Sequence, residues 1–117
     1  MGVYVPNITT TGTGEINITG TNMGTHQYDS GVRVYNKISS EDANINITGI
    51  NNGNFASIEM NGDITVTGSG ATDINGTSFY RYGVEFLDNN VITSSGNVTV
   101  TGLSNITTGI LYKGTIT

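Results

Sequence analysis

One five-residue phrase occurs four times along this chain, and that repetition limits the fold more than any other feature. Ile16-Asn17-Ile18-Thr19-Gly20 returns as Ile45-Asn46-Ile47-Thr48-Gly49, as Ile64-Thr65-Val66-Thr67-Gly68 and as Val98-Thr99-Val100-Thr101-Gly102. A second phrase precedes it as Gly2-Val3-Tyr4-Val5, Gly31-Val32-Arg33-Val34, Gly83-Val84-Glu85-Phe86 and Gly109-Ile110-Leu111-Tyr112. Gly53-Asn54-Phe55-Ala56 reads as a degenerate copy of it. Between the two lies a short element led by Ile8, Ile38, Ile58, Ile92 and Ile116. Self-similarity at this length scale marks a solenoid, in which each repeat is one coil that buries its apolar face only against its neighbours.

Coil starts near residues 2, 31, 53, 83 and 109 give repeat lengths of 29, 22, 30 and 26. From the closing glycine of the five-residue phrase to the next start the spacing is 11, 4, 15 and 7, so the variation gathers at one corner. The expectation is an all-β parallel β-helix, with residues 1–117 forming a single segment of about four and a half coils, each of three short strands. Aliphatic and polar residues alternate in the five-residue phrase, which is the period of a strand buried on one face. Ile16/Ile18, Ile45/Ile47, Ile64/Val66 and Val98/Val100 are expected to stack along one inner wall. Val3/Val5, Val32/Val34, Val84/Phe86 and Ile110/Tyr112 line a second, and the column of Ile8, Ile38, Ile58 and Ile92 a third. The closing glycine is expected in a turn conformation that a side chain would strain.

Composition agrees with this. Only 11% of residues are charged, and β-branched residues with Gly and Asn fill most of the chain. Such residues fit pleated surfaces and tight corners rather than helices. Disordered chains lack regularly spaced Ile and Val. The net charge of −5 and a total of four Lys and Arg exclude nucleic acid and anionic membrane surfaces as partners. No apolar run approaches the roughly 18 residues of a spanning helix, so membrane insertion is not expected. Residues 1–5 carry no basic stretch leading into an apolar core. There is no cysteine, hence no disulfide and no thiolate chemistry.

The alternation of these phrases resembles the repeats of filamentous-haemagglutinin-type and autotransporter-like adhesins. The resemblance covers essentially the whole chain and implies a right-handed β-helix, export from a bacterial cell, and a role in attachment or filament building. It implies a secreted or cell-surface location and a structural or adhesive function without cofactor. No capping sequence is visible at either end. Partners are therefore expected to be neighbouring repeats of a longer array or other copies stacked end to end.

Residues able to do chemistry are few. His26 is the single histidine, in the loop 21–30, and with no Cys it cannot build a transition-metal site. Polysaccharide cleavage needs paired carboxylates. Glu41 and Asp42 are adjacent at a corner, Glu15 and Glu59 stand alone, and Asp29, Asp63, Asp73, Glu85 and Asp88 scatter over different coils. Arg33 and Arg81 find no partner at matching positions, so no catalytic site is expected. The loop 69–82 carries Phe79, Tyr80, Arg81 and Tyr82, which could stack on surface glycans; the plainer reading is that they cover the solenoid flank. Asn17/Thr19, Asn46/Thr48, Thr65/Thr67 and Thr99/Thr101 are expected to form two flat outward columns. That face is either a candidate for ice binding or an ordinary polar sheet surface with ladders of side-chain bonds. Six N-x-S/T sites, at Asn7, Asn17, Asn46, Asn75, Asn97 and Asn105, follow from the abundance of Asn and Thr.

Overall fold

A computed structural model describes residues 2–24, 29–87, 90–113 and 115–117. His26 and Asp88 lie outside the described residues. The chain is a parallel β-solenoid of a little over four turns, with fourteen strands and no helix among the described residues. The first sheet, A, contains β1 (Val3–Val5), β4 (Val32–Val34), β7 (Ile58–Met60), β10 (Val84–Phe86) and β13 (Ile110–Tyr112). Sheet B contains β2 (Ile8–Thr10), β5 (Ile38–Ser40), β8 (Ile64–Val66), β11 (Val91–Ser94) and β14 (Thr115–Ile116). Sheet C contains the longer strands β3 (Glu15–Asn22), β6 (Asn44–Asn51), β9 (Thr72–Ser78) and β12 (Val98–Ser104). Every pairing is parallel, and each strand pairs with its counterpart one coil away.

The third coil departs from the expected register. Its sheet A strand is Ile58-Glu59-Met60, which pairs with Val32-Arg33-Val34 on one side and Val84-Glu85-Phe86 on the other. Gly53-Asn54-Phe55-Ala56 is instead the corner leading into it. Ile58 therefore belongs to the wall of Val3, Val32 and Val84, and Ile64 replaces it beside Ile38 and Ile92. Ile64-Thr65-Val66-Thr67-Gly68 is not in sheet C at all: the third rung there is Thr72-Asp73-Ile74-Asn75-Gly76, registered with Ile45-Asn46-Ile47-Thr48-Gly49. Coil lengths measured along sheet A then become 29, 26, 26 and 26. The single variable corner disappears, and the presumed loop 69–82 is two tight corners flanking β9. A strand's phrase can match a neighbouring sheet because alternation alone, with period two, does not say which wall it faces.

The glycines of sheet C set the cross-section. Gly20, Gly49, Gly76 and Gly102 stand in one column inside extended strands that continue two residues further, so no turn ends there. Their role is close approach. A Cβ at Gly76 would overlap the carbonyl oxygen of Gly83, and one at Gly102 that of Gly109, where the chain enters sheet A. Sheets A and C are thus pinched together along this line, and any side chain would push them apart.

Between the sheets, Ile16, Ile18, Val32, Val34, Ile38, Ile45, Ile47, Ile58, Met60, Ile64, Ile74, Phe86 and Ile92 are buried in one continuous apolar core. Each such side chain contributes roughly 1.5–3 kcal/mol on leaving water. Where the strands stop, side chains continue the bonding between coils. Asp42 Oδ1 accepts from the Ser69 amide at 2.9 Å, Asn44 Oδ1 from the Ala71 amide at 2.9 Å, and Asp63 Oδ1 from the Val91 amide at 2.9 Å. Asn and Asp are frequent at these corners because they accept a backbone hydrogen bond that a strand would otherwise provide.

Candidate functional site

The residues singled out in the sequence fall into three separate regions of the surface. The first is the outer face of sheet A. Its outward column runs Tyr4, Arg33, Glu59, Glu85 and Leu111. Correct register brings Arg33 beside Glu59: Nη2 and Nε lie 2.7 and 3.0 Å from Glu59 Oε2, which also accepts from Ser30 Oγ at 3.3 Å. Glu85 sits on the next strand, with Arg81 Nη2 4.0 Å from its Oε1. The half-buried ring of Phe55 lies beneath both guanidinium groups, 5.9 Å from Arg33 and 5.3 Å from Arg81, and Tyr82 is 5.2 Å from Arg81. Two carboxylates and two arginines that look isolated along the chain form one network across coils two to four.

Both acids are buried, and Glu85 Oε2 and Arg81 Nε have no hydrogen-bond partner among the described residues. Burial raises the Glu85 carboxyl above its ordinary range; Arg81 pulls it back, Glu59 pushes it further up, and Lys113 opposes. The geometry is that of an ion-pair network flanked by the rings of Phe55 and Tyr82. It holds the corners 52–57 and 79–83 down on sheet A. Among the described residues no group of three or more His, Cys, Asp or Glu is placed to hold a metal ion.

The aromatic corner is divided by this arrangement. Arg81 and Tyr82 turn onto sheet A, whereas Phe79 and Tyr80 stand out, 44% and 47% exposed, with rings edge to face at 4.6 Å.

The second region is the outer face of sheet C. Asn17, Asn46, Asp73 and Thr99 form one column, and Thr19, Thr48, Asn75 and Thr101 the next. Thr65 and Thr67 lie elsewhere: Thr65 is in sheet B between Ser39 and Thr93, and Thr67 follows that strand. The rung that replaces them carries Asp73 and Asn75, whose side chains bond to each other at 3.0 Å. A uniform Thr grid is therefore absent, and Asn46 Nδ2 donates to Asn17 Oδ1 at 2.9 Å as a ladder between coils.

The third region is the pair of end faces. At the first coil Val3, Val5, Ile8 and Ile18 line an open cavity of about 310 Å³ together with Tyr4, Pro6, Asn17 and Thr19. Among the described residues the strands β1, β2 and β3 have a neighbouring strand on one side only. At the opposite end Val98, Val100 and Ile110 are half-buried, and Ile116 is 46% exposed. Equivalent positions in the middle coils, such as Ile45, Ile58 and Ile64, are wholly buried. Among the described residues the first and last coils have no further strand beside them; Val5, Ile16 and Ile18 of the first coil are nevertheless buried, whereas the core positions of the last coil are only half-buried or exposed.

Comparison of this chain with protein-family models, with curated proteins and with solved structures finds no match.

Proposed function

We propose that this chain is a non-enzymatic structural β-solenoid of the adhesin type, belonging to a secreted or cell-surface bacterial protein and extended by coil-on-coil stacking. The observation that carries the reading is the coil-on-coil stack itself, in which each strand pairs in parallel with its counterpart one coil away over one continuous apolar core. Unpaired strands backed by apolar side chains pair readily with a further strand, whether from more coils of the same array or from a second copy. Continuous parallel pairing between successive coils supplies stiffness, and no bound cofactor is required for either role. The test is multi-angle light scattering across a hundredfold concentration range, with negative-stain microscopy of the most concentrated samples. Mass should rise with concentration and rods one solenoid wide should appear. Lysine at both ends, in an Ile8→Lys/Val100→Lys variant that retains its β circular dichroism, should suppress both. A wild-type chain that stays monomeric throughout would overturn end-to-end stacking.

A further inference from the structure

We infer that the corner between sheets A and B is a binding groove for a neutral oligosaccharide. The groove has a volume of about 540 Å³ and is lined by Tyr35, Asn36, Lys37, Asn61, Asp63 and Asn90, drawn from three successive coils. It exists because the coils nest closely here. A Cβ at the buried Gly62 would overlap the Asn36 carbonyl, so only glycine lets the third coil tuck beneath the second.

Three observations converge on a sugar. Tyr35 is 47% exposed at the rim and stacks on Tyr4, also half exposed, with centroids 5.6 Å apart and rings 30° from parallel. A pair of exposed rings held by each other presents the flat, rigid apolar surface that the C–H face of a pyranose covers, at little entropic cost. The lining is otherwise amide, carboxylate and ammonium, groups that between them donate to and accept from vicinal hydroxyls. Finally, Asn90 is 3% exposed; its Nδ2 donates to the Gly62 carbonyl, and its Oδ1 has no partner among the described residues. A buried acceptor beside the groove with no donor among the described residues favours a hydroxyl, which can donate to it, over an apolar group.

Charge selects among ligands. Lys37 and Asp63 balance within the groove, and the chain as a whole carries −5, which disfavours polyanions. A protein partner would want an apolar anchor pocket, which this polar groove does not offer. The groove lies on the flank of the stack, while Tyr4, which supports Tyr35, also lines the cavity at the end face of the first coil.

Saturation-transfer NMR of the intact chain against cellohexaose, chitohexaose, mannohexaose and a β-galactan hexamer tests the assignment, with titration of whichever binds. Binding to at least one is expected. Tyr35→Ala and Asn61→Ala/Asp63→Ala should each weaken it at least tenfold, while Phe79→Ala/Tyr80→Ala leaves it within twofold. No binding across the panel would overturn the groove, as would equal loss in the Phe79/Tyr80 variant or a response confined to a sulfated oligosaccharide run in parallel. Light scattering of Tyr35→Ala separates this from the scaffold role, because stacking should be unchanged in that variant.

Discussion

Glu85 shows how much a single position depends on its neighbours. On a bare strand its carboxylate would face water. Here it is buried, with one oxygen lacking a donor among the described residues and its guanidinium neighbour 4.0 Å away. Its proton is held more tightly in the folded chain than in the unfolded one, where the ordinary value is 4.5. That contribution to stability is complete below 4.5 and is lost as the pH rises through the higher folded value. Glu85→Gln removes the ionisation and adds a donor beside Glu59. The wild type should accordingly lose stability relative to Glu85→Gln as pH goes from about 4 to 8, read from thermal melts at each pH. Parallel pH curves for the two proteins would show that Glu85 is not the group responsible. None of this was legible in the sequence: with the coil start placed at Gly53, Glu59 fell out of the column that holds Arg33 and Glu85.

Within each element the polar positions divide into those that bind coils together and those that merely face water. Sheet C ends in an inward column of Asn22, Asn51 and Ser78. Asn51 is wholly buried and makes five bonds. Its Oδ1 accepts from Asn22 Nδ2 at 3.2 Å and the Gly53 amide at 2.8 Å; its Nδ2 donates to the carbonyls of Asp29, Phe55 and Ala56. This ladder holds the chain as it leaves sheet C for sheet A. Asn51→Ala strands several buried polar groups and should cost about 3 kcal/mol in urea unfolding. Asn46→Ala, which breaks only the outward ladder to Asn17, should cost within about 0.5 kcal/mol. Equal effects would mean that burial of the inner ladder carries no weight. Both asparagines stand in the same kind of repeat, and the one cue that separates them is parity: Asn51 shares the inward phase of Ile45, Ile47 and Gly49.

Across the whole molecule, stability is carried by neighbour-on-neighbour stacking, so it should fall toward the ends. The second and third coils contribute most of the wholly buried side chains, whereas β12 is only half-buried and β14 is exposed. Hydrogen exchange should find the slowest amides in β6 to β9 and the fastest strand amides in β13 and β14. Assembly adds a check, since stacking should raise protection in β1 to β3 and β12 to β14 before it changes the centre. Uniform protection along the stack would argue instead for one all-or-none unit. The groove at the A–B corner also belongs to this scale, because its residues come from successive coils and meet only once the register is set.

The sequence by itself determined the class of fold: repeated alternating phrases with Gly and Asn at the joints can bury their apolar faces only by stacking parallel coils. It also determined most of the inner walls, because Val3, Val32, Val84 and Ile110 carry the same phase relative to a preceding glycine. Tertiary structure alone decided the third coil. Ile64-Thr65-Val66-Thr67-Gly68 copies the sheet C phrase better than Thr72-Asp73-Ile74-Asn75-Gly76 does, yet the latter lies there. The reason is the length of chain a coil needs: Ile74 follows Ile47 by 27 residues, in step with the 26- to 29-residue coils along sheet A, whereas Val66 follows it by only 19. Local resemblance measures what a strand can do; the closure of each coil onto the next decides which strand does it.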